Sequence, residues 1–155
     1  ANVNLDVHMK ILIFGLPGSG KSTLAEPFAK LINGIWINAD QVRQHYDDWD
    51  FTPEGRMRQA VRMKFLADGV VRAGKTAIAD FVCPTVNARK EFDADYTVWM
   101  DTIAEGRFED TNAMFEKPAN CDYHVKKWFT DTPHQLMEVV QNYMLKQAGK
   151  PTNNV

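Results

Sequence analysis

No uncharged hydrophobic run in this 155-residue chain approaches the ~20 residues that a membrane-spanning helix needs, so nothing here reads as a span. There are only two cysteines, Cys83 and Cys121, far apart and without metal-ligand spacing. That excludes a disulfide framework and a cysteine-rich metal centre, and predicts free thiols in a reducing, cytoplasmic compartment. His45, His124 and His134 have no partner spacing for a metal site either, and no role is assigned to them. Neither sign of charge dominates. The net charge of −2 gives no basic footprint for nucleic acid and points to a small-molecule partner. Repeats, linkers and low-complexity tracts are missing, and the length suits one domain. Residues 1–8 have no apolar core of a signal peptide. His8-Met9 reads as a native start at Met9 behind an added or disordered leader, so the expected domain is 9–150, with a frayed tail at 151–155.

What is present is concentrated in Gly15-Leu16-Pro17-Gly18-Ser19-Gly20-Lys21-Ser22, a complete G-x-x-x-x-G-K-[ST] phosphate-binding loop. It follows the apolar run Ile11 to Phe14 and opens a helix-like stretch from Thr23 to Ile32, the strand–loop–helix setting the motif requires. Glycines let the backbone curl and aim N–H groups at an anion, and a helix N-terminus adds a favourable dipole. The expected ligand is ATP with Mg²⁺, bound by Gly15, Gly18, Ser19, Gly20, Lys21, Ser22 and Thr23. Lys21 would meet the β- and γ-phosphates, and the Ser22 hydroxyl would ligate the metal.

The rest of the chain alternates between strand and helix patterns. Strands are expected at Lys10 to Phe14, Ile35 to Asn38, Thr76 to Asp80, Tyr96 to Met100 and Tyr123 to Lys126. Asn33-Gly34 closes the first helix, and Asp40 to Tyr46 begins a second. Thr52-Pro53 caps a long one with Val61, Phe65, Leu66 and Val70 on its apolar face. Thr85 to Phe92 is a further helix. The last follows Thr132-Pro133, with Leu136, Val139, Val140, Tyr143 and Met144 facing the core. Asp47 to Thr52 reads as a loop and Asp101 to Asn120 as irregular. Trp49, Trp99 and Trp128 read as packing residues. The alternation predicts an α/β fold of the P-loop NTPase/kinase type, a five-stranded parallel sheet with helices on both faces.

Ligands of such sheets bind beyond the carboxyl ends of the strands, where Asp40, Asp80 and Asp101 fall. A carboxylate beside a phosphoryl acceptor can take its hydroxyl proton, a role that suits Asp40, and Arg43 could hold an anionic substrate group. The alternative for both is a helix-capping aspartate and a solvated arginine. Asp80 fits the acidic residue that holds Mg²⁺ with Ser22, with a strand-end turn aspartate as the alternative, whereas Asp101 reads as a structural cap. Arg56 and Gln59, three apart, share a helix face, while Arg58, Arg62 and Lys64 read as a solvated one.

In order along the chain, Asn38-Ala-Asp40-Gln-Val-Arg43, Phe51-Thr-Pro-Glu-Gly-Arg56 and Phe81-Val-Cys83-Pro84 resemble the G-D-N-V-R, F-S-x-x-D-R and F-I-S-P motifs of the adenylylsulfate kinase (APS kinase) family. Phe108 to Pro118 and Pro118 to His124 are similar to two later motifs of that family. The resemblance implies phosphoryl transfer from ATP to adenylylsulfate, giving 3′-phosphoadenylylsulfate in sulfate assimilation. It implies Asp40 as base near the ribose 3′-hydroxyl, Arg43 and Arg56 on the phosphosulfate, and Phe51 and Phe108 around the adenine. It places Gln59, Phe81 and Cys83 in the same acceptor site, and implies a homodimer.

Four departures stand out. Gln59 replaces an asparagine, Cys83 a serine, and Asp80 a small neutral residue. After Asp101-Thr102 the family's long basic lid is missing, and Ile103 to Arg107 leads almost directly to Phe108. Arg107, with Lys117, is the cation left nearby, and Arg107 becomes a third catalytic candidate beside Lys21 and Asp40. A kinase for another hydroxyl, a nucleoside or a 5′-polynucleotide end, is the alternative. A nucleotide-binding module with little activity is another.

Overall fold

The structure is a computed structural model that describes residues 7–149. The tail at 151–155 and residues 1–6 of the expected leader lie outside the described residues. Val7 packs against the core, and the Met9 N–H donates to the Thr76 hydroxyl, so the fold takes hold just ahead of the first strand.

Five strands form one parallel sheet in the order β2-β3-β1-β4-β5: β1 Lys10–Phe14, β2 Ile35–Asn38, β3 Ala77–Asp80, β4 Tyr96–Met100 and β5 Tyr123–Val125. Every residue of β1 is buried, as a central strand covered on both faces must be. Successive side chains split between the faces. Ile11 and Ile13 join Leu24 and Phe28 of α1 (Lys21–Ile32) and Leu136, Val140 and Met144 of α6 (Thr132–Ala148). Leu12 and Phe14 face the layer of α2 (Ala39–Tyr46), α3 (Pro53–Arg72) and α4 (Val86–Phe92), meeting Val42, Ala60, Met63 and Phe92. Each large apolar side chain buried this way contributes about 1.5–3 kcal/mol relative to exposure.

Helix ends follow local chemistry. Asn33 closes α1 in the left-handed conformation that asparagine tolerates. The Thr52 and Thr85 hydroxyls cap α3 and α4 by accepting from the Gly55 and Ala88 N–H groups, with Pro53 at the first turn of α3.

The fold corrects several expectations. The buried ridge of α3 is Gln59, Ala60, Met63 and Ala67. Leu66 and Val70 pack at its edge, whereas Val61 is exposed and Phe65 is 75% exposed, because the helix is rotated to turn the Gln59–Ala60–Met63–Ala67 ridge inward. On α6, Val139 is exposed, and the helix starts at Thr132, whose hydroxyl accepts from the Phe129 N–H. Trp49 and Trp128 lie at the surface, and only Trp99 among the three packs inward. Arg58 and Arg62 are not simply solvated. They clamp Asp48, Arg58 also reaches Asp50, and Lys64 pairs with Asp68. The 101–120 stretch contains a helix, α5 (Glu109–Met114).

Candidate functional site

The phosphate loop leaves β1 beside the end of β4. A Cβ on Gly15 would run into the Met100 carbonyl oxygen, so no other residue fits there. Gly20 caps α1 at φ +94°, in the region that favours glycine. The loop therefore needs its glycines for close approach and for turning, and α1 points its N-terminus at the enclosed space.

Beyond the strand ends lies a cleft of about 1100 Å³. Gly18, Gly20, Lys21, Ser22 and Thr23 line one side, and Asp40 and Asp80 line its floor. Phe51, Arg56 and Phe81 form a further wall, and Arg107 and Phe108 close over from α5's approach. A small annex of about 60 Å³ runs behind Asp40, Phe51 and Arg56 and is lined by Arg43, Gln59 and Cys83. Phosphate loop and acceptor candidates thus share one space. Gly15 and Ser19 stay behind the loop, and Lys117 is not among the lining residues.

Asp80 is buried and held from three directions. The Trp36 indole N–H donates to it at 2.6 Å, the Asn38 amide at 3.1 Å and the Ser22 hydroxyl at 3.4 Å. Burial pushes its carboxyl up, while these donors and the Lys21 charge pull it back. Burial likewise pulls the Lys21 ammonium down to about 8, against the attraction of Asp80 and Asp40. Its Nζ donates to the Leu16 carbonyl at 3.0 Å. A hydroxyl and a carboxylate side by side form a hard-oxygen pair of the kind Mg²⁺ accepts, with water and phosphate oxygens completing its shell. Ser22 and Asp80 therefore fit that ion. Among the described residues there is no cluster of three or more His, Cys, Asp or Glu side chains that could hold a metal without a substrate.

Sequence reasoning missed Trp36 and Asn38. They alternate along β2, and Asn38 sits opposite Asp80 in the parallel register. The Asn38 side chain also donates to Ser22 and accepts from the Gln41 N–H as the cap of α2.

Asp40 is exposed in the first turn of α2, and no described side chain donates to its carboxylate. Arg43 is 4% exposed, and its guanidinium donates to the Asp48 and Asp50 carbonyls while lying 4.4 Å from the Phe51 ring centre. Arg56 lies on the same ring at 5.3 Å, donates to the Phe51 carbonyl and reaches the Thr111 hydroxyl on α5 at 2.6 Å. It ties the two walls of the cleft together. The Gln59 amide is committed to the Ala39 carbonyl and Arg62. Cys83 is buried in a left-handed conformation at φ 45°, and burial pushes its thiol up to about 12, so it is not a reactive thiolate. Arg89, also unforeseen, lies against Phe14 and Phe115 and donates to the Cys83, Pro84 and Glu116 carbonyls, anchoring the chain after α5. Asp101 bonds His124 at 2.8 Å, and the imidazole stacks on Trp99, so Asp101 has a structural part in tying the end of β4 to β5 and not in capping the segment that follows it.

A family model described as an AAA domain (AAA_33) matches residues 11–97, more than half the chain, and the chain belongs to that family. The match ends before the short segment that follows β4. Among solved structures, the APS kinase of Mycobacterium tuberculosis in complex with AMPPNP and APS superposes with a TM-score of 0.74 at 14% identity, covering 86% of this chain and 98% of that one. A sugar kinase from Janibacter sp. gives 0.67 at 17%, covering 92% and 96%. Shikimate kinase from Acinetobacter baumannii in complex with shikimate gives 0.56 at 16%, covering 94% and 97%. At such identities the likeness shows the P-loop kinase fold, and several acceptor classes share it. No curated protein matches the sequence significantly. No helix among the described residues is long and apolar enough to cross a membrane.

Proposed function

We propose that the protein is an ATP-dependent kinase that transfers the γ-phosphoryl group to a hydroxyl of a small substrate. The observation that carries this reading is the uncommitted Asp40 carboxylate, which faces the same cleft as Lys21, Ser22 and Asp80. The substrate hydroxyl attacks the γ-phosphorus in line with the β,γ-bridging oxygen, whose bond to phosphorus breaks to release ADP. The hydroxyl proton passes to Asp40. Lys21 offsets charge on the phosphoryl oxygens. Ser22 and Asp80 would hold Mg²⁺ together with the nucleotide, and the ion would supply charge neutralisation to the phosphates.

The acceptor we favour is adenylylsulfate at its 3′-hydroxyl. Phe51 and Phe108 both line the cleft and are half-exposed, which leaves aromatic surface for a base beside the guanidiniums that already lie against them, and Arg56 keeps its Nη1 for an anion. The burial of Arg43 and the commitment of its Nη1 to two loop carbonyls favour a second reading, a smaller or less anionic hydroxyl substrate. A screen of adenylylsulfate, nucleosides, sugars and short 5′-hydroxyl oligonucleotides with ATP and Mg²⁺ separates them. Turnover of adenylylsulfate well above all others is expected. Preference for an oligonucleotide, with affinity falling steeply with salt, would overturn the small-substrate reading.

The lowered Lys21 value also sets a pH dependence. A triphosphate favours the charged ammonium, but the free protein loses that proton near pH 8. Above this, binding must take up a proton, and ATP affinity is expected to fall by up to about tenfold per pH unit. Titration calorimetry between pH 7 and 9.5 checks it. Affinity that stays flat through pH 9 would show that Lys21 keeps its charge in the free protein.

A further inference from the structure

We propose that Asn112 is a positioning residue that fixes Arg107 above the phosphate loop, so that the short segment after β4 supplies a cation to the transferring phosphoryl group from within the same chain. The inference rests on the kinase reading above and goes beyond it in assigning a task to α5.

Residues 102–106 lie directly on the phosphate loop. The Thr102 hydroxyl donates to the Ser19 carbonyl at 2.7 Å. Ile103 is the residue nearest to a side chain built at Gly18. Gly106 sits so close that an added Cβ would come within 3.1 Å of the Pro17 carbonyl oxygen. The Asn112 carboxamide then reads both polar groups of Gly106. Its Oδ1 accepts from the Gly106 N–H, and its Nδ2 donates to the Gly106 carbonyl, each at 2.8 Å. That doubly held residue immediately precedes Arg107.

Arg107 has no acidic partner among the described residues, although Glu105, Glu109 and Asp110 are close in sequence, and its guanidinium lies 5.2 Å from the Phe108 ring centre. It lines the cleft together with Pro17, Gly18 and Lys21. A long, exposed side chain becomes useful in a transition state only when its backbone is held, since small misplacements of a contact group cost rate. α5 can hold it because α5 is itself tied down. Arg56 grips Thr111, the neighbour of Asn112, and the Glu116 N–H donates to the Pro84 carbonyl beyond the helix. Asn112 thus transmits the rigidity of α3 and α4 to the peptide that carries Arg107.

The test compares the affinity for MgADP alone with that for MgADP plus aluminium fluoride, a mimic of the transferring phosphoryl group. Transition-state mimics bind about 10²-fold or more tighter than ground-state ligands when the site is complete. Arg107→Ala is expected to remove most of that preference and leave MgADP affinity unchanged. Asn112→Ala is expected to lower the preference at least about tenfold, again without loss of MgADP affinity, as a misplaced group would. In the double variant the loss should equal that of Arg107→Ala alone. Asn112→Asp keeps the acceptor for the Gly106 N–H and should recover part of the preference. If Asn112→Ala does not fold, Gly106→Ala moves the same peptide away from Pro17 and should give the same selective loss.

Several outcomes overturn the proposal. Asn112→Ala could weaken both ligands equally, leave the preference intact, or add to Arg107→Ala. A wild type that binds MgADP with an unchanged preference in Arg107→Ala sinks this inference and spares the kinase reading. A wild type that binds neither ligand removes both.

Discussion

Lys21→Ala is expected to lower phosphoryl transfer about 10³-fold, in the range found when a preorganised group facing developing charge is removed. ATP affinity should fall with it, because Lys21 lines the floor of the loop that receives the phosphates. The fold should not suffer. Burial drives the Lys21 ammonium down to about 8, so its charge opposes folding below that pH. The sign follows from proton counts. Between about pH 8 and the unfolded value of 10.5 the unfolded chain binds more protons, and stability rises with pH through that window. Removing the side chain removes the penalty, so at pH 7 the melting temperature of the ligand-free variant should equal or exceed that of the parent. Lys21 is only half-buried, so solvent screening keeps the gain small. Calorimetry beside a coupled turnover assay measures both. Turnover close to the parent value would end the kinase reading, and a large drop in melting temperature would mean that Lys21 is structural.

Asp40→Asn is expected to lower kcat by about 10²–10⁴, the usual contribution of a positioned general base. The amide keeps the shape but cannot take a proton. ATP affinity should stay near the parent value, because Lys21, Ser22 and the loop backbone are untouched. Steady-state kinetics in both substrates separates the effects. The competing role for Asp40 is an acidic residue in the first turn of α2, where it favours the helix dipole by about 0.3–1 kcal/mol. If that were all, Asn would cost a little stability and leave kcat within a few-fold.

Much of the fold was legible because its signals are local. Alternating strand and helix patterns located all five strands, and Asn33 and Thr52 marked helix ends through their own backbone or hydroxyl chemistry. The misses have a common cause. Val61 and Phe65 looked like an apolar stripe, but the sheet presses close enough to α3 to select Ala60, Met63 and Ala67. α5 is six residues long, capped by no side chain, and held by Thr111 and its flanks; a polar stretch of that length carries no helical period. The matched family reaches only to residue 97, so it too is silent on that segment.

The site divides along the same line. The phosphate loop is contiguous, and eight residues carry its geometry, so its glycines, Lys21 and Ser22 could be read directly. The approach of Asp80 to Trp36 and Asn38 could not, because it depends on β2 lying beside β3, a strand order that no local signal encodes. The same holds for Arg43, which reads as an anion contact in a linear motif but in the fold is buried and turns its Nη1 onto the Asp48 and Asp50 carbonyls. By itself the sequence determined a phosphate-binding α/β domain, because backbone curvature and helix N-termini depend on neighbours in the chain. Only the tertiary structure decided which side chains remain free to meet a substrate. A guanidinium or carboxylate buried among other polar groups satisfies those groups first, and among the described residues that line the cleft Asp40, Arg107 and Asp110 are the charged side chains left without a hydrogen-bonding or ionic partner.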